Sequence, residues 1–373
     1  MARNTGKKVR RRGRRRKRGF ATWSIGKKIG AVLGGTLLGV VVIGSVILAS
    51  KMNKLSSVKL DTDKLNISDE VKHEKGYTNV ALFGLDSREN DLGKGNRSDT
   101  IIIASLNNDT KEVKLVSIYR DTLLELDDGS YNKANSAYSF GGPEGAVSLI
   151  NRNLDMNIEK YVTVNFNALV DVIDAVGGLD LELTHDEVVH MNNYCVETSK
   201  VTGKKYKKIE PAVAGTYKLN GVQAVSYARI RYTAGGDYKR TERQRLVLKK
   251  TADKLKQQDL ATLNKIIDKV MPEVSTSFTT KEILSLATGA FDYELGETTG
   301  FPFDLETPEQ IPGYSGSYVI PKGLEENVIK LHQFLYPNKD YTPTATVTDI
   351  SNTLNDMTNV YPNTTESGTS QNE

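Results

Sequence analysis

The chain has 373 residues, of which 38% are hydrophobic, enough for the core of one large domain or of two average ones. Its formal net charge of +4 conceals a division along the chain. Residues 1–59 contain sixteen Lys or Arg and no acidic residue, which leaves 34 basic and 46 acidic residues, about −12 in net charge, for residues 60–373. The two parts are therefore expected to lie in different surroundings.

The first part has the composition of a membrane anchor. A basic segment, residues 1–28, precedes 22 uncharged residues at 29–50, which as a helix would span roughly 33 Å, the thickness of a bilayer's hydrocarbon core. This run is longer than the ~7–15 residues of a secretory signal core, and no convincing small-residue cleavage site follows it. We expect an uncleaved transmembrane helix with residues 1–28 in the cytoplasm and everything after Lys51 outside the cell.

The arginine run before this helix could also bind nucleic acid. Membrane topology and attraction to anionic lipid already account for the positive charge. Residues 1–19 also contain no aromatic side chain for base stacking. Membrane lipid is therefore the expected partner of this segment, and nucleic acid is not.

Several catalytic chemistries find no support in the sequence. Cys195 is the sole cysteine, so no intramolecular disulfide can form, and we expect it to be a small buried hydrophobic residue of a bacterial surface protein. His185 and His190 lie five residues apart, whereas a zinc-binding helix needs four. No Gly-x-Ser-x-Gly motif and no P-loop occur, which excludes the usual signatures of acyl and nucleotide hydrolysis.

Beyond the anchor, strand and helix signals alternate, which favours a layered α/β domain. The predicted strands are 77–86, 100–106, 113–119, 161–166 and 179–183. The predicted helices are 143–154, 167–178, a segment that starts near Asp237, and a pair within roughly 258–293. A short turn joins the second and third strands, so we expect a hairpin. The apolar runs in these strands predict a sheet covered on both faces.

Two polar segments flank this domain in the sequence. Residues 51–75 are rich in Lys, Ser and Asp, which is typical of a stalk. From Tyr341 the chain is rich in Thr, Ser, Asn and Pro, and residues 341–373 are predicted to be a largely disordered tail.

Carboxylates and arginines recur at the ends of three predicted strands. GLDSR (84–88) ends the first, RSDT (97–100) begins the second and YRDT (119–122) ends the third. If neighbouring strands are antiparallel, one edge of the sheet receives Asp86, Arg88, Arg97, Asp99, Arg120 and Asp121. Paired carboxylates suit Mg²⁺ and arginines suit phosphate. The alternative is turn-forming aspartates and ordinary ion pairs.

A second basic cluster, RIRYTAGGDYKRTERQR, covers residues 229–245 and contains six Arg or Lys in seventeen residues. Gly235 and Gly236 predict a turn, after which Asp237 is expected to cap a helix. Arg240 and Gln244 then share one helix face, and Arg243 lies one turn along on an adjacent face. A solvated charged face is the alternative interpretation of this cluster.

The motifs GLDSR, RSDT, SIYRDT, YNKANSAYSFGGPEG and ARIRYTAGGDYKRTERQ, together with the basic tail and single anchor, resemble the LytR-CpsA-Psr family over about residues 76–255. The resemblance implies an α-β-α sandwich with a central mixed sheet, and an extracellular catalytic domain at 76–340. It implies an apolar cleft for a polyprenyl pyrophosphate lipid. Helices such as 143–154 and 167–176 could line this cleft, although most of their residues are expected to be plain core.

The resemblance also implies an activity. The family's enzymes are phosphotransferases on the outer face of Gram-positive membranes. They move a glycopolymer, of teichoic acid or capsule type, from its polyprenyl pyrophosphate carrier to peptidoglycan. Polymer and acceptor are not specified by this sequence.

Residue roles follow from the resemblance by position. Asp86 and Asp99 would organise Mg²⁺, Arg120 would be catalytic, and Asp237 would orient neighbouring groups or act as a base. The implied pyrophosphate ligands are Arg97, Arg120, Arg229, Arg231, Arg240 and Gln244. Arg88 and Arg243 are predicted to contribute from the same clusters, and Lys133 is a weaker candidate. Because the segment before Asp237 varies in length within the family, the choice between Arg229 and Arg231 as phosphate ligand stays open.

Two other functions stay open at this point. A non-catalytic sensor of polyprenyl pyrophosphate would keep the arginines without needing both Asp86 and Asp99. A membrane-bound transcriptional attenuator, a label this family has carried, would bind DNA through residues 1–19 with a steep salt dependence.

Overall fold

The computed structural model describes residues 56–69, 71, 75–85, 91–289 and 292–362. The basic segment and membrane helix predicted within residues 1–50 lie outside the described residues, and so do Asp86, Arg88 and residues 363–373. Within the described ranges, no helix is both long and apolar enough to cross a bilayer.

A seven-stranded mixed sheet forms the centre of the domain. In chain order the strands are β1 (Ser56–Ser57), β2 (Tyr77–Leu85), β3 (Ser98–Asn107), β4 (Glu112–Ile118), β5 (Leu123–Glu125), β6 (Tyr131–Lys133), β7 (Lys160–Asn165), β8 (Leu179–Leu183), β9 (Gly215–Leu219), β10 (Val274–Thr276), β11 (Glu294–Phe301), β12 (Leu305–Glu306) and β13 (Ile320–Pro321). The spatial order in the large sheet is β1-β10-β7-β2-β3-β4-β11, and the other strands form two-stranded sheets. The predicted central mixed sheet is confirmed.

Nine α-helices surround these sheets in the part of the chain that the structure describes. They are α1 (Ala134–Leu154), α2 (Phe166–Ala175), α3 (His185–Thr202), α4 (Gly221–Ala228), α5 (Gly236–Leu255), α6 (Leu260–Val270), α7 (Thr280–Gly289), α8 (Leu324–Leu335) and α9 (Ala345–Thr358). Every predicted helix is present, but the sequence signals missed α3, α4, α8 and α9.

The register of the three central strands places their polar ends together. β2 and β3 are antiparallel, with Leu85 opposite Ser98, and β3 and β4 form the predicted hairpin, with Ile102 opposite Ser117. The end of β2, the start of β3 and the end of β4 therefore share one edge of the sheet, as the sequence predicted.

Alternate residues of β3 pack on opposite faces of the sheet. Ile101 and Ile103 belong to the large core beneath α1, α8 and α9. Ile102 and Ala104 form a smaller cluster on the other face, against which Leu248 of α5 packs. Helices therefore contact both faces, which explains why the strand sequences are almost continuously apolar.

Helix α1 bends at Gly142, whose φ of +67° is left-handed and favours glycine. Pro143 then begins the straight second half, where prediction placed the helix start. Ala146, Val147 and Ile150 are fully buried in the large core. Most of this part of the helix is therefore packed core, the alternative that the sequence favoured, while Pro143 and Glu144 at its start line a cavity of about 510 Å³.

The predicted disordered tail is wrong for its described part. Helix α9 buries Val347, Ile350 and Leu354, an apolar spacing of three and four residues that the polar composition obscured. Asp155, at the end of α1, accepts hydrogen bonds from the Tyr341 hydroxyl at 2.6 Å and the Thr344 amide at 2.8 Å. Residues 341–362 are therefore part of the domain.

The predicted stalk also needs correction. Leu60 and Leu65 are buried in the large core. The Asn151 side chain of α1 donates to the Leu65 carbonyl at 2.9 Å. Residues 56–69 therefore pack against the domain, because two leucines among polar neighbours suffice to fix the segment.

A second core lies where α2, α3, α4 and the two-stranded β8–β9 sheet meet. Gly221, at the start of α4, lies so close to α2 that a Cβ would come within 2.3 Å of the Val170 carbonyl oxygen. Cys195 of α3 is fully buried here, as predicted, and burial raises the pKa of its thiol to about 11.

Arg243 ties this second core to α5. Its side chain is only 4% exposed, and its Nε donates to the Glu187 carboxylate of α3 at 2.9 Å. Its other nitrogens donate to the Ile230 carbonyl at 3.2 Å and the Thr233 hydroxyl at 2.7 Å. Arg243 therefore fixes the loop between α4 and α5, which corrects its predicted role as a pyrophosphate ligand.

We expect Leu354→Ala to lower the free energy of unfolding by about 3 kcal/mol, because it leaves a cavity under α9. Asn352→Ala, at an exposed position of the same helix, should change it by less than ~0.5 kcal/mol. Urea denaturation of the purified protein measures both. Equal effects of the two substitutions would show that α9 is not part of the cooperative core.

Arg243→Ala should cost about 3–5 kcal/mol of unfolding free energy, because it strands the largely buried Glu187 carboxylate without its cation. Lys239→Ala removes an exposed ion pair with Glu242 from the same helix, and we expect a loss below ~1 kcal/mol. Thermal and urea denaturation distinguish the two. A stable Arg243→Ala variant would contradict the structural role of this arginine.

Candidate functional site

Asp99, Arg120 and Asp121 meet at the shared edge of β2, β3 and β4. Arg120 Nη1 lies 2.7 Å from Asp99 Oδ1, and Arg120 Nε lies 3.3 Å from Asp121 Oδ2. The convergence predicted for these three side chains is confirmed. β2 ends at Leu85, directly before Asp86, so the strand end that precedes Asp86 lies at this edge too.

The glycine turn before α5 adds a second set of charges. Gly235 and Gly236 both have left-handed φ values, +89° and +48°. Asp237 was expected to cap the helix, but Gly235 is the N-cap residue and no side chain caps it. The Asp237 carboxylate instead lies 3.1 Å from Arg240 Nη1 and 3.5 Å from Arg231 Nε.

The two sets join into one cluster. Arg231 Nη2 lies 3.8 Å from Asp99 Oδ2, and Arg240 Nη2 approaches the Asp99 carbonyl oxygen at 3.5 Å. Lys133, which precedes α1, lies 3.0 Å from Asp121 Oδ1, and its ammonium sits 4.8 Å from the centre of the Tyr318 ring. We call the following residues the rim cluster: Asp99, Arg120, Asp121, Lys133, Arg231, Asp237 and Arg240.

The rim cluster has four cations and three carboxylates, a formal charge of +1. Arg240 is the most buried of the cations, with 3% of its surface exposed. Burial lowers the pKa of Arg240 to about 10; Asp237 opposes this shift, and the nearby Arg231 and Arg120 add to it. The Arg240 Nε has no hydrogen-bond partner among the described residues. An anion that reached this guanidinium would therefore be strongly favoured.

Asp121 is held as an anion although it is largely buried. Burial acts to raise its pKa, but the charge of Arg120 and hydrogen bonds involving Lys133 and Asp237 outweigh it and lower the pKa. Asp121 stays charged because Arg120 Nε and Lys133 Nζ lie 3.3 and 3.0 Å from its carboxylate oxygens.

Arg229 lies beside the rim cluster but points elsewhere. Its guanidinium lies 3.0 Å from both the Glu197 carboxylate and the Thr198 hydroxyl, and it stacks between the rings of Phe166 and Tyr194 at 4.7 and 5.6 Å. Of the two arginines between which the sequence could not choose, the structure brings Arg231 into contact with the rim carboxylates.

The remaining predicted ligands occupy the periphery. Arg97 is exposed immediately before β3, and Gln244 is half-buried one turn beyond Arg240 on α5. Sequence reasoning missed Arg245, which is 8% exposed and has no hydrogen-bond partner at Nε or Nη1 within the described residues. Burial lowers its pKa, and the neighbouring Tyr119 opposes that shift.

An apolar groove opens on the sheet face opposite the large core. Its cavity measures about 400 Å³ and lies between β7, β10 and helices α6 and α7. Its lining is almost entirely apolar: Val162, Ile266, Ile267, Val270, Met271, Val274, Thr276, Phe278, Ile283 and Leu286. Val162 pairs with Leu82, three residues before Leu85, so the groove begins roughly 10 Å from the strand end at Leu85.

Neither helix that the sequence named as a possible lining of a lipid cleft, 143–154 or 167–176, contributes a residue to this groove. The helix pair predicted within 258–293 lines it instead. The apolar faces of α6 and α7 line this groove and are more exposed than the faces of packed helices. Sequence periodicity identifies an apolar helix face but does not show whether another element covers it.

Comparison with known proteins places these features in context. The sequence profile of the LytR_cpsA_psr family matches residues 42–295. The chain is 30% identical over 302 residues to the polyisoprenyl-teichoic acid–peptidoglycan teichoic acid transferase TagV of Bacillus subtilis, covering 75% of this chain and 70% of that protein.

Two solved structures share the fold. Protein gbs0355 of Streptococcus agalactiae superposes with a TM-score of 0.59 at 26% identity, over 73% of this chain and 91% of that one. The LytR-CPS2A-psr family protein YwtF (TagT) with bound octaprenyl pyrophosphate lipid superposes with a TM-score of 0.53 at 22% identity, over 74% and 99% of the two chains. With a family profile that covers more than half of its residues, this chain belongs to the LytR_cpsA_psr family.

Proposed function

We propose that this protein is a phosphotransferase that moves a glycopolymer, of teichoic acid or capsule type, from a polyprenyl pyrophosphate carrier to peptidoglycan. The observation that carries the proposal is the rim cluster, whose net positive charge and incompletely bonded Arg240 fit a diphosphate. TagV, a relative at 30% identity, carries a transferase name for this class of reaction.

In this proposal Arg120, Arg231 and Arg240 hold the diphosphate. Each already contacts a rim carboxylate, at 2.7 to 3.8 Å, and each has further guanidinium nitrogens to offer to phosphate oxygens. Asp237 orients Arg231 and Arg240 through its contacts with both. Fixed donors of this kind stabilise charge in the transition state without reorganising.

The carrier's lipid tail would lie in the apolar groove. The tail is hydrocarbon, and the groove is lined by aliphatic and aromatic side chains such as Ile266, Met271 and Phe278. The groove begins roughly 10 Å from the strand end at Leu85, a separation compatible with a ligand that has a charged head and an apolar chain. The fold neighbour TagT has been solved with an octaprenyl pyrophosphate lipid.

We propose Mg²⁺ as the cofactor, held by Asp99 together with Asp86. Among the described residues no three acidic, His or Cys side chains form a ready metal site. Asp99 offers one partly exposed carboxylate, 2.7 Å from Arg120 and 3.8 Å from Arg231, so Asp86 and phosphate oxygens would have to complete the coordination. When bound, the ion would neutralise charge on the diphosphate oxygens. The predicted membrane helix at 29–50, with the domain outside the cell, completes the proposal and rests on the sequence.

The reaction would be a substitution at phosphorus. A peptidoglycan hydroxyl oxygen forms a bond to the phosphorus that bears the glycopolymer, and the oxygen bridge between the two phosphorus atoms breaks. Its electron pair stays with the departing polyprenyl phosphate, and the hydroxyl proton is released to a base. Arg120 and Arg240 stabilise the charge that collects on the leaving phosphate.

Arg120→Ala and Arg240→Ala should each reduce transfer at least tenfold, because a charged hydrogen bond of ~1.5–3 kcal/mol is lost. Arg152→Ala, whose arginine pairs with Glu125 away from the rim, is the matched control and should keep normal turnover. A reconstituted assay with labelled lipid-linked glycopolymer measures the rates. Unchanged turnover of both rim variants would show that these arginines belong to a solvated charged surface and do not contribute to transfer.

Asp99→Ala should abolish transfer while binding of polyprenyl pyrophosphate persists, because the carboxylate serves the ion and the arginines serve the phosphate. Chelation of divalent cations should have the same effect on the unmodified protein, and added Mg²⁺ should restore transfer. Retained transfer in Asp99→Ala would refute the metal assignment. Binding without any transfer by the unmodified protein would favour the sensor function.

A further inference from the structure

Three aromatic rings stand on the surface beside the rim cluster. Tyr232 follows Arg231 in the chain and is the most exposed large hydrophobic side chain of the described residues, at 74%. Its ring centre lies 6.5 Å from that of Tyr194, with 21° between the ring planes, and 6.2 Å from that of His190. We call Tyr232, Tyr194 and His190 the aromatic platform.

The platform adjoins the arginines of the site. The Arg229 guanidinium lies 5.6 Å from the centre of the Tyr194 ring, on the stretch of chain that continues to Arg231. Tyr232 is also the direct chain neighbour of Arg231, whose guanidinium lies 3.8 Å from Asp99 Oδ2 and 3.5 Å from Asp237 Oδ1. A group attached to a phosphate in the rim cluster could therefore reach the platform.

The chemistry of the platform suits a sugar ring. One face of a pyranose presents C–H bonds of slight positive charge, which the negative face of an aromatic ring attracts. Glu197, 47% exposed, and the exposed Asn193 lie on the same helix as Tyr194 and can accept or donate hydrogen bonds to hydroxyl groups. Tyr232 has most of one ring surface free for such a contact.

We propose that the aromatic platform binds the sugar ring attached directly to the diphosphate of the lipid-linked donor. This assignment rests on the proposed function, and it adds a residue set that recognises the glycan and not the phosphate. It also accounts for the exposed position of Tyr232 in the segment between Arg231 and Asp237.

The surroundings argue against a membrane contact for the same rings. Val196, 63% exposed, is the apolar neighbour on α3, but Asn193 and Glu197 flank it. If the ring face entered lipid, the Glu197 carboxylate, which pairs with Arg229, would lose its contact with water. A ligand with many hydroxyl groups would instead keep the side chains of Asn193 and Glu197 hydrogen-bonded.

The test compares two probes: a polyprenyl pyrophosphate carrying a single N-acetylhexosamine, and the same lipid pyrophosphate without sugar. Tyr232→Ala should weaken binding of the sugar-bearing probe at least fivefold and leave binding of the bare probe unchanged. Tyr232→Trp should retain most of the affinity, because a ring face remains. Tyr361→Ala, at another exposed tyrosine, should alter neither affinity.

Other outcomes would overturn the assignment. Equal weakening of both probes would mean that Tyr232 acts through Arg231, and no change in either would mean that the platform binds no sugar. Loss of binding by Tyr232→Ala to phospholipid vesicles without probe would identify a membrane contact instead. Failure of the unmodified protein to bind the bare probe would remove the proposed function itself, and the platform assignment with it.

Discussion

The balance of charge at one edge of the central sheet governs this site. Carboxylates beside the Arg240 guanidinium, which is only 3% exposed, compensate part of the cost of burying its charge. Asp99 and Asp237 supply that compensation from two segments more than 130 residues apart in the chain. Their compensation is incomplete, because four cations face three carboxylates and Arg240 Nε stays without a partner in the described structure. A site built this way is stable when empty and still attracts an anion.

The scaffold fixes these charges by two different means. The antiparallel register of β2, β3 and β4 brings Asp99 and Arg120 to the same edge. The loop before α5 has no sheet to hold it, and Arg243 does so from inside, through Glu187 and the loop's own carbonyl and hydroxyl groups. Arg240 and Arg243 lie three residues apart on one helix. Arg240 contacts Asp237 in the rim cluster, whereas Arg243 pairs with Glu187 and stabilises the fold.

The sheet has two unlike faces, and the proposed function uses the difference. One face is covered by α1, α8 and α9 and forms the main core. The other leaves an apolar groove between β7, β10, α6 and α7. An apolar groove and a cationic rim on one domain would suit an amphiphile with an anionic head. The platform around Tyr232 then offers a third surface, suited to the polar group beyond the phosphate.

The sequence by itself determined the local elements and their pairing. β-branched runs and the short turn predicted the central strands and hairpin, and the strand-end motifs predicted that Asp99, Arg120 and Asp121 would meet, because strand pairing follows from local chain signals. It also specified the family through several joined motifs. It did not reveal that α9 packs on the core, because two or three apolar residues in a polar segment decide burial only when a complementary surface exists.

Only the tertiary structure decided which arginine serves which purpose. Arg229, Arg231, Arg240 and Arg243 have the same chemistry, so their partners depend on contacts with β3, α3 and the α4–α5 loop, which sequence spacing does not encode. The same holds for the groove, since an amphipathic helix has the same periodicity whether its apolar face is covered or open. Propensity and pattern act over a few residues, whereas charge pairing and burial depend on segments that the fold alone brings together.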